Sequence, residues 1–154
     1  MVILEDTAQK QGQHEIKHRS FEEMNVGVIR NKLPFGDYCL PPTISVDTKK
    51  NMDEIAMDIG SDHVRFKNEC VKAKDAGCQL IILVENELGI TDISQVHEWV
   101  NPSIIYRPKA ITGPRLEKAM RTMTERYGVL FYFCKPEESA EKIIKLLERA
   151  KDGQ

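Results

Sequence analysis

The chain has 154 residues, 41% of them hydrophobic and 30% charged, the size and composition of one globular domain with a single core. Its formal net charge of −2 does not announce a nucleic-acid binder, but it leaves room for a local basic face beside a carboxylate-rich site. The longest apolar run, LIILV at 80–84, is too short to span a bilayer, and MVILEDTAQK lacks the basic opening and long apolar centre of a signal peptide.

A cytoplasmic, membrane-free protein is therefore the expectation. The four cysteines (Cys39, Cys70, Cys78 and Cys134) are irregularly spaced and include no Cys-x-x-Cys pair. They read as free thiols in a reducing compartment.

In chain order, MVIL predicts a short first strand ending at Glu5-Asp6. Residues 7–19 are polar and read as a loop, with at most some helical turns. In SFEEMN, Ser20 is the expected N-cap of a short helix, Glu23 its capping-box partner, and Phe21 and Met24 its apolar anchors. VGVIR (26–30) and DYCL (37–40) read as strands of a meander around a Pro-Gly turn. TISVDTK (43–49) alternates, with Ile44, Val46 and Thr48 on one face and Ser45, Asp47 and Lys49 on the other.

Asn51 is expected to cap a helix that buries Met52, Ile55, Ala56 and Ile59. After Gly60, Ser61 is expected to cap another, with Phe66, Cys70 and Ala73 inward and Gly77 at its end. CQLIILVE (78–85) fits a buried central strand, and DISQVHEWV a short helix. Gly113-Pro114 opens a helix with Leu116, Ala119, Met120, Met123 and Tyr127 on one stripe; Trp99 and the methionines read as core. VLFYF (129–133) reads as the last buried strand. The last helix, 137–150, points Ala140, Ile143, Ile144 and Leu147 inward. Residues 1–150 thus form one α/β domain, a mixed central sheet flanked by helices, and 151–154 a tail.

Two stretches carry possible chemistry. QGQHEIKHRS (11–20) contains His-Glu-x-x-His, the spacing that puts two histidines on one helix face for zinc. Ile16 is the only apolar residue between Leu4 and Phe21, Gly12 weakens a helix upstream, and no third-histidine extension follows, so a zinc peptidase is rejected. The stretch reads as a polar loop whose Lys10, His14, Lys17, His18 and Arg19 form a cluster able to touch phosphate.

The second stretch is LPFGDYCLPPTISVDTKKNMD (33–53). Asp47 and Lys49 lie two apart on a strand and project from one face. A hairpin return through PPT would set Asp37 beside Asp47, and Asp6 would join them if the first strand is a neighbour. Carboxylates converging in this way need a cation, and an oxygen donor set suits Mg²⁺ or Mn²⁺. An adjacent lysine supplies a positive charge for phosphodiester hydrolysis. The same residues also read as a plain turn and a solvent-facing strand exit, because isolated Asp-x-Lys triplets are common.

Gly36-Asp37, a gap, then Asp47-Thr48-Lys49 and, after three residues, Asp53 resembles the signature of the XPF-type nuclease domain. That domain is the catalytic part of the structure-specific endonucleases related to XPF, Mus and Hef, in the PD-(D/E)xK superfamily. The family reads Gly-Asp, a gap, then Glu-Arg-Lys-x-x-x-Asp. LEDTAQK echoes its first strand, Asp6 matching the aspartate of Val-Asp-x-Arg-Glu. DHVRFKNEC is similar to the segment in which an arginine, here Arg65, precedes the long helix, and CQLIILVEN is similar to the core strand. The likeness is good over roughly 1–90 and is nearest to small stand-alone versions in bacteriophages and bacteria.

The resemblance implies a restriction-endonuclease-like fold and a metal-dependent endonuclease acting on branched or junction DNA. Asp37 and Asp47 would hold Mg²⁺ (or Mn²⁺) with the Thr48 carbonyl, and Asp6 would support the site directly or through water. Lys49 would orient the attacking water, and Asp53 would brace that lysine or the helix start. Lys10, Lys17, Lys50 and Arg65 would contact DNA phosphates, and a homodimer would form through the C-terminal strand and helix.

The departures are Asp47 for glutamate, Thr48 for arginine, and Ala8 and Gln9 for the arginine and glutamate of the first strand. They motivate the rival expectation, a catalytically silent DNA- or protein-binding module. The sequence shows no helix-hairpin-helix repeats like those attached to larger relatives, so the grip on DNA is expected from its own basic residues, a second subunit or a partner.

Overall fold

A computed structural model describes residues 1–10, 12–40 and 44–152. The elements are β1 (Val2–Asp6), α1 (Glu15–Glu23), β2 (Gly27–Asn31), β3 (Tyr38–Leu40), β4 (Ile44–Lys49), α2 (Met52–Ile59), α3 (His63–Asp75), β5 (Gln79–Glu85), α4 (Gly113–Tyr127), β6 (Leu130–Cys134) and α5 (Ser139–Asp152). Short 3₁₀ turns cover Ile93–Glu98, Pro102–Ile105 and Pro136–Glu138.

The strands form one mixed sheet in the order β2-β1-β3-β4-β5-β6. β1 runs parallel to β2 and antiparallel to β3, β3 antiparallel to β4, and β4, β5 and β6 parallel to one another. The α/β domain with a mixed sheet and flanking helices is therefore as expected, but the meander is not. β2 and β3 do not pair; β1 lies between them. The cause is α1, which returns the chain in its original direction and so makes β2 a parallel neighbour of β1.

Each face of the sheet carries its own apolar layer. One packs Ile82 and Val84 against Met52, Ile55, Phe66, Cys70, Leu116 and Met120 of α2, α3 and α4. The other packs Ile44, Val46, Ile81 and Leu83 against Phe21 of α1 and Ile143, Ile144 and Leu147 of α5. β4 alternates as read, with Ile44 and Val46 turned to the α1/α5 side; Thr43, Pro41 and Pro42 lie outside the described residues. Trp99 is buried among the core residues and Met120 fully so.

Three local expectations need correction. The helix assigned to start after Ser20 begins at Glu15, with His14 at the N-cap and Ser20 in its interior. A polar stretch becomes helical here because Phe21 and Lys17 are buried, not because of a wide apolar stripe. Asp62, not Ser61, occupies the N-cap of α3, and it makes no side-chain capping bond. β6 is the sheet edge, and Leu130, Phe131 and Tyr132 are only half-buried.

Leu83 in β5 has 0% exposure and Val100 81%. Leu83→Ala should therefore cost about 2–5 kcal/mol in urea unfolding, while Val100→Ala should change stability by less than about 0.5 kcal/mol.

Candidate active site

The parallel strands β4 and β5 end side by side, Lys49 opposite Val84, and a cleft of about 580 Å³ opens at those ends. Asp37, Asp47, Thr48, Lys49, Lys50, Glu54 and Glu85 line it, with residues 12–17 as the opposite wall. Backbone geometry brings Asp37 to this point. Gly36 has φ +69°, and a Cβ there would sit 3.0 Å from the Val46 carbonyl oxygen and 3.1 Å from Ser45 Cβ. Only glycine accepts both the left-handed conformation and that approach. The next residue then enters the sheet, with the Asp37 N–H donating to the Val46 carbonyl at 2.9 Å and Tyr38 opposite Val46.

The Asp37 carboxylate is held by its neighbours. Its Oδ2 accepts from the Thr48 N–H at 2.8 Å and from the Thr48 hydroxyl at 2.7 Å, and its Oδ1 accepts from the Gln9 amide. Burial raises its pKa, and the Thr48 bonds and Lys49 oppose the rise. Asp47 is pushed up to about 7 by burial and by the charge of Asp37, against the pull of Lys49. Two buried carboxylates this close resist being ionised together unless a cation joins them.

Lys49 Nζ lies 2.9 Å from Asp47 Oδ2 and 2.7 Å from Asp58 Oδ2, and 5.5 Å from the centre of the Phe66 ring. Burial works against its charge, but Asp47 and Asp58 raise its pKa above the ordinary lysine value. Asp47 Oδ2 and Asp58 Oδ2 face the ammonium at ion-pair distance yet have no partner at hydrogen-bonding geometry. With the Lys49 ammonium on Asp47, the buried carboxylates of Asp47 and Asp37 together present a donor set of hard oxygens. It fits Mg²⁺ or Mn²⁺, since Mg²⁺ binds through one or two carboxylates and keeps several waters. Among the described residues, no three His, Cys, Asp or Glu side chains gather as a metal cluster.

The α1 wall is fixed by buried charge. Lys17 Nζ pairs with Glu85 Oε2 at 2.9 Å, and the Ser139 hydroxyl donates to the same oxygen at 3.3 Å. His18 Nε2 is bonded to Glu5, a buried acid that also faces Arg30 Nε at 3.3 Å. His14 Nδ1 lies 2.5 Å from the Tyr38 hydroxyl, and burial and nearby Lys17 lower its pKa to about 4. His-Glu-x-x-His is thus on a helix after all, but its rings are engaged by Tyr38 and Glu5.

The remaining expected site residues divide. Asp6 is adjacent, its N–H donating to the Asp37 carbonyl at 2.8 Å, but its Oδ1 accepts from the Leu33 N–H at 3.0 Å. Asp53 is exposed in the first turn of α2, where a carboxylate suits the helix dipole; among the described residues it makes no ion pair with Lys49. Asp58 takes that part instead. Lys10 and Lys50 are exposed, and Lys50 lines the cleft. Lys17 is buried against Glu85, and Arg65 lies 3.4 Å from Asp58 Oδ1 and 3.6 Å from Asp62 Oδ2.

The reading of the sequence missed Asp58, Glu85 and Glu69. Glu69, on α3, is pushed above the ordinary carboxylate range by burial and by the charge of Asp47. For Asp58 and Glu85 the available signal was an acid inside an apolar stretch, IAMDI and LIILVE.

A family model described as "ERCC4 domain" matches residues 6–147. The solved structure of "XPF from Aeropyrum pernix" is similar in fold, with a TM-score of 0.70 at 20% identity, over 98% of this chain and 65% of that one. "XPF from Aeropyrum pernix, complex with DNA" gives a TM-score of 0.69 at 19% identity, over 99% of this chain and 66% of that one. The chain thus spans just under two thirds of the length of those structures. No curated protein sequence matches it.

The pKa of Asp47, raised to about 7 from 3.8, means that the folded state holds its proton more tightly than the unfolded state. The stability it contributes is full below about pH 4 and lost as pH rises through about 7. Without divalent ions, Asp47→Asn should therefore melt several degrees higher than the parent at pH 8, at about 2–4 °C per kcal/mol, and the gap should close at pH 4. Lys17→Met should cost about 3–5 kcal/mol by leaving Glu85 buried and unpaired, and Lys17→Met with Glu85→Gln should recover much of the loss in the same denaturation experiment.

Proposed function

The chain belongs to the ERCC4 domain family, and we propose that it is a divalent-metal-dependent DNA endonuclease that hydrolyses phosphodiester bonds in branched or junction DNA. The observation that carries this reading is the meeting of Asp37, Asp47 and Lys49 at the lip of an open cleft, with Lys49 ion-paired to Asp47. The neighbour solved with DNA supports a nucleic-acid substrate.

In this mechanism Asp37 and Asp47 would hold Mg²⁺ (or Mn²⁺), with the Thr48 carbonyl and Asp6 in support. The ion would supply Lewis acidity and activate water. Lys49 orients the nucleophile and balances the negative charge that develops on the phosphate. Asp58 positions Lys49 by accepting its ammonium on the side away from the cleft acids. Asp53 strengthens the start of α2, which carries that helix's Asp58. Lys10 and Lys50 contact phosphates beside the cleft. Lys17 serves instead to fix the α1 wall, and Arg65 reaches DNA only by leaving Asp58 and Asp62.

A homodimer through β6 and α5 belongs to the same proposal, supported by the unpaired outer edge of β6. Residues 1–150 act as the nuclease domain; the expected 151–154 tail starts inside α5, which runs to Asp152. No helix among the described residues is long and apolar enough to cross a membrane. Work on DNA inside the cell belongs to the same proposal.

One observation favours the silent module. Gln9, standing where the family has glutamate, donates to Asp37 Oδ1, and an amide there occupies an oxygen that a cation would use. Incubation with flap, fork and four-way-junction DNA in Mg²⁺ or Mn²⁺ separates the two readings. The parent should cleave, and Asp47→Ala and Lys49→Ala should each lose at least about 100-fold. Asp58→Asn should lower kcat with KM unchanged. Mg²⁺ should raise the melting temperature of the parent and not that of Asp47→Ala. Binding without cleavage by the parent would leave the silent module.

A further inference from the structure

The active-site cleft does not end at Lys50. It shares Lys50 and Pro136 with a groove of about 700 Å³ that reaches Asp53. Asp53 also borders a hollow of about 420 Å³ between α2 and the 101–111 loop. That hollow shares Ile59, Arg115 and Ala119 with a groove of about 460 Å³ between α3 and α4. Each depression thus shares lining residues with the next, so the four adjoin one another along α2 and on to α4.

The charge changes along this row of depressions. Lys67, Arg107, Lys109, Arg115, Lys118 and Arg126 line its last two depressions, and Asp53 is the one carboxylate among the described residues there. All six cations are exposed, and none of them forms an ion pair among the described residues. Lys74 adds to the end of the row, its Nζ donating to the Arg126 carbonyl at 2.8 Å. Six unpaired cations against one acid, in a chain whose formal net charge is −2, are a segregated field that attracts a polyanion.

We infer that this track binds the phosphate backbone of a duplex DNA arm that leads away from the cleft. The inference rests on the nuclease reading for which end of the arm lies at Asp37 and Asp47, but not for the binding itself. The eight residues of α2 span about 12 Å, or roughly three to four base pairs at 3.4 Å each. The track therefore begins that far from the scissile phosphate. Backbone contacts of this kind position DNA without reading sequence, as an enzyme of branched substrates needs.

The groove between α3 and α4 has an apolar floor of Ile59, Phe66, Met123 and Tyr127, so an acidic amphipathic peptide is the competing occupant. DNA is favoured because Arg107 and Lys109 extend the charge into the neighbouring hollow and because that hollow and the cleft both adjoin the groove that reaches from Lys50 to Asp53. The basic residues expected from the sequence account for little of this surface: none of Lys10, Lys17, Lys50 and Arg65 lines these two depressions.

The test is fluorescence anisotropy in EDTA, with a flap DNA whose hairpin-closed arm is about 4 base pairs long compared with one of about 20. The variant combines Arg107→Gln, Arg115→Gln, Lys118→Gln and Arg126→Gln. The parent should bind the long arm more tightly. The variant should lose at least about 10-fold on the long arm and little on the short one, and its plot of log affinity against log salt should flatten by about 3 to 4. In Mg²⁺ its cleavage of the short-armed substrate should match the parent.

Equal affinity and salt slope on the long arm would overturn the inference, as would equal losses on both arms. So would displacement of the protein by polyglutamate but not by duplex DNA, which would assign the groove to an acidic protein partner. If the combined variant melts below the parent, Lys118→Gln and Arg126→Gln taken singly should each flatten the slope by about 0.9, and no change in either would be equally fatal. A parent that shows arm-dependent binding but cleaves nothing would sink the nuclease reading and leave the track standing.

Discussion

The end of β4 depends on one balance of charge. Asp37, Asp47 and Asp58 are all taken largely out of water, and a single ammonium, Lys49, stands between two of them. Removing several carboxylates from water with one buried ammonium between them and only an exposed arginine, Arg65, beside Asp58 is unfavourable, and the raised pKa of Asp47 expresses it. The divalent cation of the proposed function would relieve this imbalance. The surrounding structure is organised around holding these charges: Gly36 lets Asp37 approach β4, Thr48 binds the far oxygen of Asp37, and α2 delivers Asp58 behind the lysine.

The opposite wall obeys the same rule with different partners. α1 has almost no apolar stripe and would be a marginal helix by itself. It is docked by Phe21 and by Lys17, whose ammonium meets Glu85 at the end of β5. On its other flank His18 and Arg30 surround Glu5. The Lys17–Glu85 and His18–Glu5 pairs tie α1 to the sheet and so set the position of the wall opposite β4. The polar character that argued against a helix in this stretch is what fastens the helix to the sheet.

Legibility followed the kind of interaction. The apolar periodicities of β4, α2, α3, β5, α4 and α5 gave their places and inward faces, because burial of a stripe or an alternate row is a local pattern. Glycine followed by aspartate, then Asp-x-Lys, identified the two acids and the lysine, because their spacing on paired strands fixes their side. The partner of the lysine was not readable. Asp53 stands at the motif position, but helical geometry leaves it exposed at the first turn and brings Asp58, more than a turn later, to Lys49 at the end of β4. Likewise Lys17 looked free in a basic cluster, and only the approach of β5 gave it Glu85.

The sequence by itself determined which residues are apolar on which period and that Asp47 and Lys49 share one face of a strand, and it offered Asp37 as their neighbour if a hairpin returned it. Tertiary structure alone decided the sheet order, with β1 between β2 and β3, and the pairing of buried charges. It also decided the gathering of Lys67, Arg107, Lys109, Arg115, Lys118 and Arg126 into one field. The physical reason is range. Backbone conformation and side-chain alternation are set by neighbours a few residues away, whereas electrostatic partnership depends on which distant segments the packed cores bring together.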